Sequence, residues 1–403
     1  MKWINPGHEF DKIGHSLKNM ENVYIYGAGF LGWRACETIT SLSKWFKWKI
    51  TFIDFNDEKQ RSGFMGLRVL PQEALYTLDK SKDFVIVCVN EETLPVMIKI
   101  AEDAGFLQMQ NLFDFESFFY KQLSIHYWYN LNMVCLYNMS IRVSTICNLN
   151  CNGCSAFMPH TKKHVIYELD SLYESIDLFF EKVDLVCSFA LGGSEPLLYP
   201  NLAELIEYVG ERYGDKIVSY ELMSNGTIIP NDKLCAMFDK YKMRIVLSDY
   251  GKTVPLAKKN VDKTVAKLRS FDNIYTDRRS MERWYNFTPN LFNENEHTEE
   301  WLRQNYTDCG MCCRYLVNKT ITSCAFSHFA EEAGLIKYCK DDYLDLSKIN
   351  SSNKAELVEF ACRFNTRGYV ELCKHCVGLR NNRNYIEPAI QILRNKKFDV
   401  KEA

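Results

Sequence analysis

Three cysteines carry the first recognisable chemistry in this 403-residue sequence. Cys147, Cys151 and Cys154 stand in a C-x3-C-x2-C spacing within ICNLNCNGCSAFMP, which runs from Ile146 to Pro159. Thiolates this close together can wrap a single iron–sulfur cube, each reaching a different iron. Three ligands leave the fourth iron open, and an open iron is a place for chemistry rather than for electron storage alone. Zinc is the main rival, because His160 and His164 lie nearby. Structural zinc, however, usually takes four ligands in two pairs, and no fourth Cys or His stands at pair spacing. A disulfide is a weaker alternative. The sequence opens MKWINPGHEF without an apolar signal segment, so a cytoplasmic protein in a reducing compartment is expected.

A second set of cysteines lies near the end: Cys309, Cys312, Cys313 and Cys324, then Cys373 and Cys376 as a C-x2-C pair. That pair and two earlier thiols can supply four ligands to a second cluster. Zinc is a rival here too, since tetrahedral sulfur suits both metals. Cys339 and Cys362 fit no spacing, and Cys36 and Cys88 lie on apolar faces, so these four are read as core thiols.

Near the start, Asn22 to Thr38 reads NVYIYGAGFLGWRACET. A short strand, Val23 to Tyr26, runs into Gly27, Gly29 and Gly32 at G-x-G-x-x-G spacing, and a helical pattern follows. The first glycine permits a tight turn, the second lets a pyrophosphate approach the backbone, and the third allows close helix–strand packing. Amides at the helix start would face the phosphates. The next strand, Lys49 to Ile53, ends at Asp54, where an acidic side chain can bind ribose hydroxyls. Phe84 to Val89 reads as a third, buried parallel strand. In this order the signals predict a Rossmann-like domain holding a nucleotide or nucleotide sugar. The other reading is a scaffold without ligand, used for docking. Nothing marks a hydride site, so NAD redox chemistry is not the first expectation.

Three further segments follow the first cysteine loop: FALGGSEPLLYP (Phe189 to Pro200), LMSNGTIIP (Leu222 to Pro230) and RIVLSDYG (Arg244 to Gly251). With that loop they resemble the radical S-adenosylmethionine (radical SAM) enzymes. Those enzymes carry the C-x3-C-x2-C loop after the first strand of a partial (β/α) barrel, and Gly-Gly-Glu-Pro, Thr-Asn-Gly and Ser-x-Asp segments at later strands. The resemblance implies a catalytic [4Fe–4S] cluster on Cys147, Cys151 and Cys154, with S-adenosyl-L-methionine chelating the open iron. It implies that Gly192, Gly193, Ser194 and Glu195 bind the cofactor's amino group, that Ser224 and Asn225 meet its ribose, and that Asp249 contacts cofactor or substrate. Cleavage of the reduced sulfonium would give methionine and a 5′-deoxyadenosyl radical, with flavodoxin or ferredoxin as electron donor. The sequence departs from the family twice: Ser194 replaces a glycine, and Gly153 stands where an aromatic residue usually covers the adenine.

The late cysteines resemble the twitch or SPASM-type extension of the same enzymes. This implies an auxiliary [4Fe–4S] cluster on Cys313, Cys324, Cys373 and Cys376, with Cys309 or Cys312 able to replace Cys313. The first domain resembles the nucleotide-binding domain that precedes several bacterial sugar-modifying enzymes. Together these resemblances imply hydrogen abstraction from a sugar or nucleotide sugar. Modification of a ribosomally made peptide is one alternative, and a non-catalytic zinc or iron–sulfur scaffold is another.

These residues need a frame to hold them. Leu169 to Val183, Asn201 to Tyr213, Asp232 to Tyr241 and Pro255 to Arg269 have helical spacing. Met139 to Thr145, Leu185 to Leu191, Lys216 to Met223 and Met243 to Ser248 read as strands. Such alternation predicts a parallel α/β barrel, closed or open, with its site at the carboxyl ends of the strands, where all four segments fall. The expected class is therefore α/β: a Rossmann-like parallel sheet at 1–125, a partial TIM-type (β/α) radical SAM barrel at 126–300, and a small Cys-rich extension at 301–403. The aromatic-rich stretch Phe113 to Trp128 is the expected helical connector, with His126 packed inside it, and the charged stretch Asn286 to Gln304 is an expected linker. With 47% apolar and 25% charged residues, the composition is that of an ordinary globular protein. A net charge of −2 gives no ground for a nucleic-acid groove or an anionic membrane surface. No apolar run approaches the ~20 residues that span a bilayer.

Overall fold

The computed structural model describes residues 9–287, 297–309, 313–363, 367–393 and 400–402. The chain divides into two compact units, one ending at Tyr137 and the other beginning at Asn138. Among the described residues no helix is long and apolar enough to cross a membrane.

The first unit is built on a five-stranded sheet. Its strands are β1 (Asn22–Tyr26), β2 (Lys49–Ile53), β3 (Val69–Leu70), β4 (Asp83–Val87) and β5 (Leu112–Asp114), in the order β3-β2-β1-β4-β5. Every pairing is parallel. All five residues of β4 are buried, as a parallel strand covered on both faces requires. Gly27 takes φ +116°, and a Cβ on Gly32 would fall 2.0 Å from the Gly27 carbonyl oxygen. Glycine at 32 is therefore what lets the helix Phe30–Ser41 start against the turn.

The aromatic stretch is helical from Phe115 onward. Asp114 and Ser117 form a reciprocal cap, one π-turn spans Phe118–Gln122, and a regular helix covers Leu123–Leu131. His126 sits inside this layer, with the ring of Phe46 at 4.4 Å and that of Trp48 at 5.6 Å between centroids. Burial pushes its pKa down to about 4, from an ordinary 6.5. The unfolded chain then binds a proton more readily than the folded one. Its contribution is complete above pH 6.5 and is lost as the pH falls toward 4. A loss on the order of 3 kcal/mol is expected across that window from a shift of this size. Thermal melts at pH 7 and pH 4.5 check it, and His126→Phe should flatten the difference.

The second unit holds an eight-stranded sheet. In chain order the main strands of the unit are β6 (Cys135–Ile141), β7 (His164–Ile166), β8 (Leu185–Leu191), β9 (Ile217–Ser224), β10 (Arg244–Asp249), β11 (Tyr275–Ser280) and β12 (Trp284–Tyr285). Then come β13 (Tyr315–Val317), β14 (Thr320–Thr322), β15 (Tyr343–Asp345) and β16 (Tyr385–Ile386). Of these, β7, β12 and β16 lie outside the eight-stranded sheet. The sheet order is β11-β10-β9-β8-β6-β13-β14-β15, so the sheet is open at β11 and at β15 rather than closed into a barrel. Parallel registers join β8, β9, β10 and β11. The helices Leu169–Lys182, Leu202–Tyr213, Asp232–Lys240 and Pro255–Leu268 alternate with these strands, within a residue or two of the sequence expectation.

Two features differ in detail. The first strand ends at Ile141 instead of reaching Thr145, because the next residues turn to β7. There Thr145 N donates to Val165 O at 2.8 Å, and Val165 N donates to Thr145 Oγ1 at 2.8 Å. The C-terminal residues also continue the main sheet: β13 lies parallel to β6, and β14 and β15 follow antiparallel. One core, including Phe157, Tyr306, Tyr315, Phe329 and Cys373, packs the tail of the first cysteine loop against this region. The expected linker contains the helix start Glu299, capped by Thr298, while its residues 288–296 lie outside the described residues.

Candidate metal centre

The first cysteine loop leaves β6 and is tied at once to the end of β8. Gly192 N donates to Ile141 O and Glu195 N donates to Ile146 O, both at 3.1 Å. Gly193 has φ +88°, and a Cβ there would stand 3.0 Å from both Phe329 Cζ and the Tyr315 hydroxyl, so this turn needs glycine. Cys151 is buried, while Cys147 and Cys154 are half-buried. Burial above all pushes the Cys147 thiol up to about 12, with Glu195, Cys154 and Cys151 adding to it.

Glu195 is fully buried. Its Oε2 accepts the Asn225 amide at 2.7 Å and its Oε1 accepts the Leu197 amide at 3.2 Å. Burial raises its pKa to about 7, against the pull of these amides. The carboxylate thus fixes the Asn-Gly turn after β9. From that turn Asn225 Nδ2 reaches Asn148 Oδ1 at 2.9 Å and Cys147 Sγ at 3.6 Å. Asn148 Nδ2 donates to Thr227 Oγ1 at 2.8 Å, which donates to Asn225 Oδ1 at 2.5 Å. This ring of three side chains ties the cysteine loop to the β9 turn. Ser224 Oγ accepts the Gly226 amide at 3.2 Å. Ser194 Oγ is buried without a hydrogen-bond partner, as a hydroxyl awaiting a ligand would be.

At the end of β10, Asp249 Oδ1 accepts the Gly251 amide at 2.9 Å, and its Oδ2 accepts from Arg278 Nε at 2.9 Å. Burial opposes its charge, but that amide and the guanidinium prevail and hold the carboxyl below its ordinary range. The next residue, Tyr250, is within electrostatic reach of the cysteines. Its phenol is pushed well up, first by burial and then by Cys151, Cys154 and Cys147 together. Sequence reading did not single out Asn148, Thr227 or Tyr250. Each lies within two residues of one it did name, and that nearness was the available signal.

The second set shares a cavity. Cys309, Cys324, Cys373 and Cys376 line one cavity of about 370 Å³ including its open side. Burial is the main cause that pushes Cys324 and Cys376 up to about 12 and Cys373 well above its ordinary value. Two backbone amides point at the sulfurs: Leu379 N to Cys309 Sγ at 3.4 Å and Gly378 N to Cys376 Sγ at 3.3 Å. Cys313 is exposed and does not line the cavity, and Cys312 lies outside the described residues. Cys36, Cys88 and Cys362 are buried in the core, while Cys339 is half-buried. Among the described residues no three His, Cys, Asp or Glu side chains converge as a single-ion site does. His164 is turned away to Thr145 O at 2.7 Å.

In the first unit the glycine turn meets Asp54 directly. Asp54 Oδ2 accepts the Ala28 amide at 2.8 Å, and its Oδ1 accepts the Asn56 amide at 2.9 Å. Lys59 Nζ joins them, 2.8 Å from Ala28 O and 3.4 Å from Asp54 Oδ2. Gly27, Gly29, Gly32 and Asp54 are therefore brought together, with open space where a Cβ on Gly29 would stand.

Residues 141–248 match the family description of the radical SAM superfamily. The chain thus carries a radical SAM domain, which marks it as an enzyme of radical chemistry and implies S-adenosylmethionine and a [4Fe–4S] cluster. Among solved structures, one similar chain is BtrN in complex with AdoMet and 2-DOIA. It is 13% identical with a TM-score of 0.41, over 62% of this chain and 97% of that one. A second is anSMEcpe with bound AdoMet and Cp18Cys peptide, 15% identical with a TM-score of 0.29, over 60% and 88%. A third is Streptococcus suis SuiB bound to S-adenosylmethionine, 11% identical with a TM-score of 0.30, over 74% and 83%. No curated protein matches the chain.

Proposed function

We propose that this radical SAM enzyme removes a hydrogen atom from a sugar or nucleotide sugar, using a catalytic cluster on Cys147, Cys151 and Cys154 and an auxiliary cluster on a second cysteine set. The observation that carries the reading is the meeting of the three-cysteine loop with the ends of β8 and β9 through Glu195, Asn225 and Asn148. When bound and reduced, the cluster and S-adenosylmethionine supply methionine and a 5′-deoxyadenosyl radical.

The chain's own residues bind and orient. The three thiolates would hold the iron, and the Asn148–Asn225–Thr227 ring keeps the loop in register with the β9 turn. Glu195 is a positioning residue for that turn, because its carboxylate accepts the Asn225 amide. We assign the Gly192 and Gly193 backbone and the unpaired Ser194 hydroxyl to the cofactor's amino group, Ser224 and Asn225 to its ribose, and Asp249, at the end of β10, to cofactor or substrate.

For the auxiliary cluster, the four thiols around the cavity favour Cys309, Cys324, Cys373 and Cys376 as a twitch or SPASM-like ligand set. Thiols arranged about a cavity, with amides aimed at two of them, suit a cube better than one zinc ion. In the first unit, a parallel order of 3-2-1-4-5 with a glycine turn after β1 supports a Rossmann-like nucleotide site at Gly27, Gly29, Gly32 and Asp54. A cytoplasmic protein served by flavodoxin or ferredoxin completes the proposal.

Anaerobic reconstitution should give about eight irons per chain, and dithionite should drive release of 5′-deoxyadenosine. Candidate nucleotide sugars should bind the protein and raise that release. Release raised only by a peptide would transfer the reading to peptide modification, and zinc in both sites without cofactor cleavage would end it.

A further inference from the structure

The C-terminal segment returns to the first cysteine loop. β16 pairs with β12, and residues 388–393 then run along the loop. Asn152 N donates to Ile390 O at 2.7 Å, Ile392 N to Asn150 O at 3.0 Å, and Asn150 Nδ2 to Ile392 O at 2.9 Å. Thr253 Oγ1 donates to Pro388 O at 2.7 Å, which fastens the same strap to the loop after β10.

Gln391 stands at the centre of this contact. Its Oε1 accepts the Asn150 amide at 2.7 Å, while its Nε2 donates to Ala389 O at 2.8 Å and stands 3.1 Å from Cys151 Sγ. Reversing the side-chain amide would set its NH2 group against the Asn150 N–H and its oxygen against the Ala389 carbonyl. The orientation is therefore fixed, with an N–H directed at sulfur. A second observation concerns Gly153, which has φ +63°. A Cβ on it would fall 2.2 Å from Ile386 Cδ1, so the strap fills the space that a side chain at 153 would occupy.

We infer that this C-terminal strap forms one wall of the catalytic cluster's chamber, and that Gln391 is a positioning residue whose N–H sets the cluster's reduction potential through Cys151. The inference rests on the reading of Cys151 as a cluster ligand. Hydrogen bonds to ligand sulfurs favour the reduced, more negative cluster and so raise its potential. Removing the donor shifts the potential downward and makes the cluster harder to reduce.

Gln391→Met is neutral, similar in length and has no donor. Gln391→Glu keeps an acceptor for the Asn150 amide, and with it the loop's shape, but loses both donors and adds negative charge. The full chain is reconstituted anaerobically, and the midpoint potential is followed by electron paramagnetic resonance on the signal that changes when S-adenosylmethionine is added. The expected result is parental iron content with a midpoint more negative in Gln391→Met and more negative again in Gln391→Glu. Midpoints unchanged from the parent in both variants would overturn the role of Gln391. A parent protein whose iron signal never responds to S-adenosylmethionine would instead overturn the underlying reading of Cys151.

Discussion

Alanine at Cys151 is expected to remove the catalytic cluster and abolish reductive cleavage of S-adenosylmethionine, while about four irons stay in the second site. Cys151 is the middle cysteine of the C-x3-C-x2-C loop and the buried one of the three. Two thiolates that remain cannot fix three irons of a cube. The loop itself should survive the change, since its shape is held elsewhere. Asn148 joins it to the β9 turn, and Asn150 and Asn152 join it to the C-terminal strap. Loss of activity would then come without general unfolding, which circular dichroism and gel filtration can show. Cys147→Ala and Cys154→Ala should behave alike. Iron and sulfide analysis, with assay of 5′-deoxyadenosine under strong reductant, checks the result. Undiminished cofactor cleavage by Cys151→Ala would refute the site. Because burial holds the Cys147 thiol near pKa 12, iron loading of the parent should also release protons.

Local patterns made most elements of the second unit legible in the sequence. Leu185–Leu191 is a continuous buried run, and the helices between strands have amphipathic spacing, so each could be placed without knowledge of its neighbours. The end of β6 was not legible, because the choice between the main sheet and β7 depends on Thr145 finding Val165, twenty residues on. The open sheet edge at β15 and the joining of β13 to β6 are likewise long-range pairings with no local mark. At the metal centre, ligand types and spacing were visible, but the contacts that orient them were not. Gln391 meets Cys151 across 240 residues of sequence. Asp54 was placed correctly at the end of β2, yet only the structure shows that its carboxylate faces the Ala28 amide of the glycine turn. Gly153 looked like a missing aromatic residue, and its neighbour Ile386 shows what occupies that space.

Spacing alone also left open which of Cys309, Cys312 and Cys313 joins the second set, and here two variants should part completely. Cys309→Ala is expected to lose the auxiliary cluster and to lower the iron content from about eight to about four per chain, whereas Cys313→Ala keeps both clusters. Cys309 lines the cavity with Cys324, Cys373 and Cys376, and its sulfur receives the Leu379 amide. Cys313 is exposed and lies outside that lining. The four thiols come from three places: the end of helix Glu299–Asp308, the N-cap of helix Ala325–Glu332, and the turn around Glu371–Lys374. A cluster joining them acts as a cross-link that only the folded chain can bind, so its loss lowers stability as well as iron content. The melting temperature of anaerobic Cys309→Ala should therefore fall, and that of Cys313→Ala should stay at the parental value. Four irons lost from Cys313→Ala with none lost from Cys309→Ala would exchange the two residues' roles. Because cleavage of S-adenosylmethionine is assigned to the other cluster, Cys309→Ala should still release 5′-deoxyadenosine. That release separates loss of the second cluster from damage to the first.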